Sequence, residues 1–226
     1  MELMFDNANL ETLTEFAQIY PYVGVTSNPT IIKEEGKIDF FEHFKKVREL
    51  VGEKRSLHIQ VVSTKAEDMI KEAQKIVEKI DKNVYIKIPV TEEGLKAIKI
   101  LKSQGYKITA TAIYTKMQGL VAIAAGADYI APYFNRIESR GRDACEIIAT
   151  FRENIDFSGA KTKIVAASFH FAEQVTKALH AGADAITLQP KLLREMVYRD
   201  YVDQAVETFA QDWQSSQGHK NILDCE

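Results

Sequence analysis

A lysine in the middle of a short apolar run is the residue whose type and position suggest chemistry. Residues 84–91 alternate β-branched residues with other types, which predicts a β-strand whose opposite face carries Lys87. Pro89 and Thr91 mark the end of this strand and the start of a helix, so Lys87 lies near the strand's C-terminal end. Burial lowers the pKa of a lysine, and the neutral amine is the nucleophile that forms Schiff bases. The alternative is a lysine that extends from a strand end into solvent.

The same alternation of strand and helix patterns extends along the chain. Strand patterns occupy residues 3–6, 22–26, 57–62, 84–91, 107–112, 129–132, 163–167 and 185–190. Each is followed by a helical pattern, and the tetrapeptide AGAD recurs two units apart, at 125–128 and 181–184. Strict alternation implies parallel strands, and eight units in 226 residues predict an α/β fold, a closed (β/α)8 TIM barrel. We expect one barrel domain over 1–226 with an extra C-terminal helix, in an extension over about 199–226.

An open doubly wound sheet is the main alternative for the fold. It would commonly bind a dinucleotide or a nucleoside triphosphate through a glycine-rich loop. Neither GxGxxG nor GxxxxGK[ST] occurs in the sequence, which disfavours both ligands.

Polar residues stand near the C-terminal ends of seven strand patterns. They are Asp6, Thr26 with Asn28, Gln60, Lys87, Thr111, Tyr133 with Arg136, and Ser168. Barrel active sites lie at this end of the strands, so we expect these side chains to converge. Each also has a local alternative: Asp6, Thr111 or Ser168 could cap a helix, and Asn28 could be a turn residue. Packing alone does not explain all seven together.

The residue types around the lysine suit aldol chemistry. A neutral Lys87 amine attacks a ketone and forms a carbinolamine and then an iminium. Asp6 can shuttle protons and balance the charge of that iminium. Thr26 and Asn28 can hold substrate hydroxyls or the imine.

The remaining candidates suit proton transfer and phosphate binding. Gln60, Thr111 and Tyr133 can position one water that moves a proton during cleavage of a carbon–carbon bond. Arg136 offers a bidentate donor and Ser168 a hydroxyl, a combination that suits a sugar phosphate.

Composition excludes several other classes of protein. The chain is 46% hydrophobic and 27% charged, with a formal net charge of -3, so neither a nucleic-acid nor a membrane partner is expected. It shows no signal peptide and no long apolar run, and Cys145 and Cys225 form no redox motif, which favours a cytoplasmic protein. The five histidines are scattered, so we expect neither a metal nor another cofactor.

Several motifs together carry a family resemblance. They are GVTSNPT at 24–30, KIPVT at 87–91, GL at 119–120, APYFNRI at 131–137, ASF at 167–169 and DW at 212–213. Through them nearly the whole chain resembles the small transaldolases and, more closely, the fructose-6-phosphate aldolases. The resemblance implies a class I aldolase with Lys87 as its Schiff-base residue and the polar residues named above as the rest of its site. It also implies a homo-oligomer, a decamer or pentamer, in which a C-terminal helix at 203–217 reaches a neighbouring subunit.

Two pairs of residues refine this resemblance. The transaldolases have a glutamate and a phenylalanine where this chain has Gln60 and Tyr133, a pair that resembles the aldolases. His58 and Thr109 depart from the aldolase pattern, which has an aromatic or apolar residue and a larger apolar residue there. Both lie in phase with the site, so we count them among the candidate substrate-binding residues.

The expected reaction is the reversible cleavage of fructose 6-phosphate to dihydroxyacetone and glyceraldehyde 3-phosphate. A transaldolase that passes a dihydroxyacetone unit between sugar phosphates is the alternative. A catalytically silent barrel that binds or scaffolds a partner is a third, disfavoured because both Lys87 and Asp6 are present.

Overall fold

Strands and helices alternate along residues 1–225, the part of the chain that the computed structural model describes. The strands are β1 (Glu2–Asp6), β2 (Gly24–Thr26), β3 (Ser56–Gln60), β4 (Tyr85–Pro89), β5 (Lys107–Ile113), β6 (Tyr129–Pro132), β7 (Lys163–Ala166) and β8 (Ala185–Leu188). The helices are α1 (Leu10–Ile19), α2 (Pro29–Glu34), α3 (Phe40–Val51), α4 (Ala66–Lys79), α5 (Glu92–Ser103), α6 (Lys116–Ala124), α7 (Phe134–Glu138), α8 (Ala144–Ser158), α9 (Ala172–His180), α10 (Pro190–Val197) and α11 (Asp200–Gln217). A 3₁₀ turn follows at Ile222–Asp224.

Each strand pairs in parallel with the next, and β8 pairs with β1, so the sheet closes. This confirms the (β/α)8 barrel with an extra C-terminal helix and rules out an open doubly wound sheet. Closure removes the exposed sheet edges and fixes which residues face the barrel axis.

The strand boundaries lie within two residues of those predicted, because local signals set them. Thr91 caps α5 as expected, its hydroxyl accepting a hydrogen bond from the Gly94 backbone N–H at 3.0 Å. The helix α8 begins at Ala144, because the Asp143 side chain caps it by accepting a hydrogen bond from the Glu146 backbone N–H. The helices α7 and α10 are short and were not predicted from the apolar pattern.

The AGAD repeat has one structural purpose in both copies. The Asp128 carboxylate accepts a hydrogen bond from the backbone N–H of Ile108 at 2.7 Å. Asp184 accepts one from the backbone N–H of Ile164 at 2.8 Å. Each aspartate also binds a basic side chain from a neighbouring helix. The repeat therefore ties the beginning of β6 to β5 and the beginning of β8 to β7, at the end of the barrel opposite the predicted site.

The chain separates into two compact units. Residues 1–190 form the barrel, and the second unit runs from Lys191 onward and contains α11. The helix α11 begins three residues before the predicted 203 and ends at the predicted residue, Gln217, followed by Gly218 with φ 73°. Within residues 1–225, no helix has both the length and the apolar character needed to cross a bilayer.

The helices α6 and α8 on the outside of the barrel are in close contact at one glycine. A Cβ placed on Gly119 of α6 would lie 2.2 Å from two ring atoms of Phe151 in α8, and that ring is fully buried. Alanine is normally a better helix former than glycine by about 1 kcal/mol. We expect Gly119→Ala to lower the free energy of unfolding by about 1–3 kcal/mol, because overpacking outweighs propensity. Urea unfolding measures the change.

The double variant Gly119→Ala/Phe151→Leu is the matched control for this prediction. A smaller side chain at 151 makes room for the added methyl group, so the alanine should cost less in that background than in the wild type. An alanine at 119 that stabilises the wild-type protein would contradict the prediction.

Candidate active site

Lys87 is buried inside the barrel, with 3% of its surface exposed. It pairs in register with Gln60 on β3 and with Thr109 on β5. Its charge acts on Asp6, which lies on the non-adjacent strand β1, so both side chains occupy the barrel interior. The structure therefore places the lysine where the strand phase predicted it.

The ionisation of these two residues is coupled. Burial lowers the pKa of Lys87, and the negative charge of Asp6 partly opposes that shift. Burial raises the pKa of Asp6, while the Lys87 charge and a hydrogen bond from Thr26 lower it. The balance favours more neutral amine on Lys87 than an exposed lysine would carry at the same pH.

A chain of hydroxyl groups holds the aspartate. Thr26 donates its hydroxyl to Asp6 Oδ1 at 2.7 Å, and its oxygen lies 2.7 Å from the hydroxyl of Thr187. Since the Thr26 proton goes to the carboxylate, Thr187 is the donor in the second bond. Both threonines are almost fully buried, at 1% and 2% exposure. The chain of hydroxyl groups therefore fixes one oxygen of the Asp6 carboxylate.

Thr187 was missed from the sequence. It is a polar residue near the C-terminal end of the eighth strand, in phase with Ala185. The same reading of strand ends that identified the other seven positions could have found it.

Thr111 and Tyr133 lie together, with their hydroxyl oxygens 3.0 Å apart. Burial raises the pKa of Tyr133, and the hydrogen bond with Thr111 lowers it by less. The pKa is therefore raised overall, and the phenol keeps its proton. Gln60, the third residue expected to hold a water, is not hydrogen-bonded to either of them within the described residues. Its buried Oε1 has no protein partner there, although Gln60 is the register neighbour of Lys87.

Two strained backbone positions lie at this end of the barrel. Ala112 has φ 58° and sits in an irregularity of the β5–β6 pairing, directly after Thr111. Ser168 has φ 62°, and its carbonyl accepts a hydrogen bond from the Asn135 backbone N–H at 3.0 Å. Such conformations cost about 1–3 kcal/mol each and concentrate at functional sites. The β-bulge re-aims the chain just beyond Thr111, so strand phase cannot be extended past that residue.

Of the predicted site residues that could instead have capped a helix or formed a turn, only one does so. Asn28 does cap a helix: its Oδ1 accepts from the backbone N–H groups of Thr30 and Ile31, which leaves its amide nitrogen to donate. Asp6 and Thr111 do not cap the next helices, because Asn9 and Thr115 do so. Ser168 is likewise not a cap, since α9 begins at Ala172 after Phe171.

Arg136 lies at the exposed rim on α7. Its guanidinium is centred 5.2 Å from the Tyr133 ring, and its Nη1 donates to the Tyr114 hydroxyl at 3.4 Å. Tyr114 was missed from the sequence, where it follows β5 with no periodic signal. No direct contact joins Arg136 to Ser168 in the described residues, although both lie at the ends of adjacent units, β6–α7 and β7–α9.

His58 and Thr109 are deeper in the barrel than the rim residues. His58 is fully buried and Thr109 is 1% exposed, and His58 Nδ1 lies 2.8 Å from the Thr109 oxygen. They bond to each other across β4, the strand that carries Lys87. In residues 1–225, no group of three or more His, Cys, Asp or Glu side chains is arranged to hold a metal ion.

A closed parallel barrel with a buried lysine and a partly buried carboxylate near the carboxyl ends of its strands defines a class of (β/α)8 enzymes. Comparison with known proteins then identifies the family. The model of the family "Transaldolase/Fructose-6-phosphate aldolase" matches residues 3–220. The chain is 46% identical over 222 residues to a "Probable fructose-6-phosphate aldolase" of Streptococcus pneumoniae (strain ATCC 700669 / Spain 23F-1), covering 98% of this chain and 100% of the relative. The chain belongs to the transaldolase/fructose-6-phosphate aldolase family.

The coupling between Lys87 and Asp6 predicts a pH effect. The Asp6 charge raises the pKa of Lys87, so Asp6→Asn should lower that pKa further. The neutral amine then forms at lower pH, and the pH at which Lys87 becomes reactive should fall. Reductive methylation with formaldehyde and cyanoborohydride over a pH series, read by mass spectrometry, measures this. The exposed Lys71 of the same molecules is the internal control for the reagent. A reactivity midpoint that stays in place or rises would contradict the coupling.

Proposed function

We propose that this protein is a class I aldolase that reversibly cleaves fructose 6-phosphate to dihydroxyacetone and glyceraldehyde 3-phosphate through a Schiff base on Lys87. The observation that carries the proposal is the buried Lys87, whose pKa burial lowers, sharing the barrel interior with Asp6. The relative from Streptococcus pneumoniae, named as a probable fructose-6-phosphate aldolase, supports the same substrate.

The covalent steps follow from this arrangement. The Lys87 amine adds to carbon 2 of the ketose, and loss of water from the carbinolamine gives an iminium. A base takes the proton of the carbon 4 hydroxyl, the bond between carbons 3 and 4 breaks, and its electron pair enters the iminium to give an enamine. Asp6, held by Thr26, takes and returns protons and offsets the iminium charge. Thr26 and the amide nitrogen of Asn28 bind substrate hydroxyls.

Cleavage frees glyceraldehyde 3-phosphate first, and release of dihydroxyacetone, the second product, then needs a proton on the enamine carbon and a water on the imine. The protonated Tyr133 phenol, paired with Thr111, supplies the first through a water that Gln60 also holds. The unpaired Oε1 of Gln60 supports this role, because a buried amide oxygen is normally hydrogen-bonded.

The phosphate of glyceraldehyde 3-phosphate binds at the rim, to the Arg136 guanidinium and the Ser168 hydroxyl. Arg136 is exposed and is oriented by Tyr114 and Tyr133, so its remaining N–H groups can reach an anion. The catalytic cycle uses the iminium as its electron sink and calls for no cofactor. We also propose that the enzyme is a homo-oligomer, a decamer or pentamer, that works in the cytoplasm.

Trapping the imine tests the proposal directly. Borohydride added with fructose 6-phosphate should attach a stable three-carbon or hexose-derived mass to the peptide that contains Lys87. Lys87→Met, which is similar in length but has no amine, should abolish both the tag and the cleavage activity. A tag on another lysine, or an active enzyme with no tag, would disprove the role of Lys87.

A separate variant decides between aldolase and transaldolase. Tyr133→Phe keeps the ring and its packing but removes the proton donor. It should lower the release of free dihydroxyacetone on the order of 10²-fold, the usual effect of a lost acid–base group. Transfer of the dihydroxyacetone unit to erythrose 4-phosphate should persist or increase, because that route replaces protonation with capture by an aldehyde.

Both reactions should be measured on the wild type and on Tyr133→Phe. Thr111→Ser is the matched control, since it keeps a hydroxyl opposite the phenol. If both activities fall in parallel in Tyr133→Phe, or neither changes, Tyr133 does not select between the two reactions. A wild type that transfers efficiently but releases no dihydroxyacetone would support the transaldolase alternative.

A further inference from the structure

A buried hydrogen bond spans the inner face of β4, the strand that carries the lysine. It joins His58 Nδ1 on β3 to the Thr109 oxygen on β5, at 2.8 Å. The strand between them is β4. His58 pairs in register with Tyr85 of β4, and Thr109 pairs with Lys87 of β4. The bond therefore passes over the inner face of β4 between Tyr85 and Lys87, and we call the His58–Thr109 pair the polar floor of the site.

The imidazole of this pair is held in a fixed orientation. It stacks on the Tyr85 ring with centroids 4.6 Å apart and planes 10° from parallel, and it meets the Tyr129 ring edge-on at 5.3 Å. Tyr129 is itself fixed, because its hydroxyl donates to Glu2 at 2.8 Å. A ring packed on two sides cannot rotate to break its bond to Thr109 without disturbing the stack.

The position of the imidazole proton decides what Thr109 can do. His58 Nε2 is buried and has no partner within residues 1–225. A buried N–H without an acceptor is rarer and costlier than a buried lone pair without a donor, so the proton belongs on Nδ1. Burial, reinforced by the charge of Lys87, lowers the pKa of His58, so the ring is neutral and carries this one proton. Nδ1–H then donates to the Thr109 oxygen, and the hydroxyl proton of Thr109 is free to point elsewhere.

We propose that Thr109 donates its hydroxyl proton to the carbon 1 hydroxyl oxygen of the donor ketose, and that His58 is a positioning residue that orients Thr109 for this contact. The proposal rests on the Schiff-base function proposed above. It names the class of donor that the site selects: ketones with a hydroxyl on the arm that does not react, as in dihydroxyacetone.

One observation and one consequence of the proposed function place that arm next to Thr109. Thr109 is the register neighbour of Lys87 on the adjacent strand, with the two backbones about 4.8 Å apart, and both side chains are buried on the inner face, so the Thr109 hydroxyl lies beside the lysine side chain. The reacting arm must extend toward Tyr133 and Arg136 at the rim, where the acceptor is proposed to bind. The other arm of the ketose, which carries the carbon 1 hydroxyl, is then directed into the barrel, toward Thr109.

The test compares two donors that differ by one hydroxyl. Dihydroxyacetone carries the carbon 1 hydroxyl and hydroxyacetone lacks it, and each is condensed with glyceraldehyde 3-phosphate. In the wild type, kcat/KM should favour dihydroxyacetone. Thr109→Val, which is nearly isosteric, should reduce the ratio of the two kcat/KM values about tenfold, the effect of one lost hydrogen bond in a buried site. Thr109→Ser keeps the hydroxyl and should preserve the ratio.

The histidine is tested through the same ratio. His58→Asn puts an amide N–H near the place of Nδ1 and should preserve it, whereas His58→Leu should reduce it as Thr109→Val does. The double variant His58→Leu/Thr109→Val should be no worse than either single variant in this ratio, because both remove one interaction. A merely structural histidine would lower activity with both donors alike and leave the ratio unchanged.

Trapping of the imine with borohydride separates the possible failures. If Lys87 in the wild type is not tagged with dihydroxyacetone, the proposed function itself fails. If Lys87 is tagged but Thr109→Val leaves the ratio unchanged, or lowers both kcat/KM values equally, the assignment of Thr109 is overturned and the aldolase function stands. Thermal unfolding confirms that each variant is folded, and the near-isosteric Thr109→Val keeps the proposal falsifiable should the His58 variants not fold.

Discussion

Closure of the barrel is the constraint on which the rest of the structure depends. When β8 pairs with β1, no strand can slip by one residue without exchanging its inner and outer faces. Lys87 and Asp6 are on non-neighbouring strands, and only closure brings their side chains into one enclosed space. The aspartates of the AGAD repeat support this closure at the opposite end, because they bind the backbone of the preceding strands.

Enclosure has an electrostatic consequence. Taking charges out of water is costly unless they are paired and hydrogen-bonded. In this barrel a few buried groups provide that pairing and hydrogen bonding. Asp6 has Thr26 and, through it, Thr187, while Lys87 has the opposing charge of Asp6. The residual shift leaves the lysine easier to deprotonate, which is the state in which an amine can attack a carbonyl.

The site is also the place where the chain departs from regular geometry. The two non-glycine residues with positive φ among residues 1–225, Ala112 and Ser168, both adjoin it. The regular sheet below and the helices that follow can hold such conformations, since they fix the chain on both sides. At the rim, Tyr114 adds contacts to Arg136 that lie outside any strand or helix pattern. The His58–Thr109 pair lies deep in the barrel, and Tyr114 and Arg136 lie at its rim, so polar groups surround the lysine at two depths.

The sequence by itself determined the fold and much of the site, because their signals are local. Apolar periodicity gave the strands and helices, and helix caps such as Asn9 and Thr91 fixed boundaries to within a few residues. Strand phase placed Lys87 on the inner face, and polar strand ends indicated most of its surroundings. Only the tertiary structure decided which of these residues meet: Thr111 with Tyr133, Thr26 with Thr187, and His58 with Thr109. These contacts join residues 22, 161 and 51 positions apart, and they depend on strand register, on a bulge and on barrel closure, none of which has a local sequence signal.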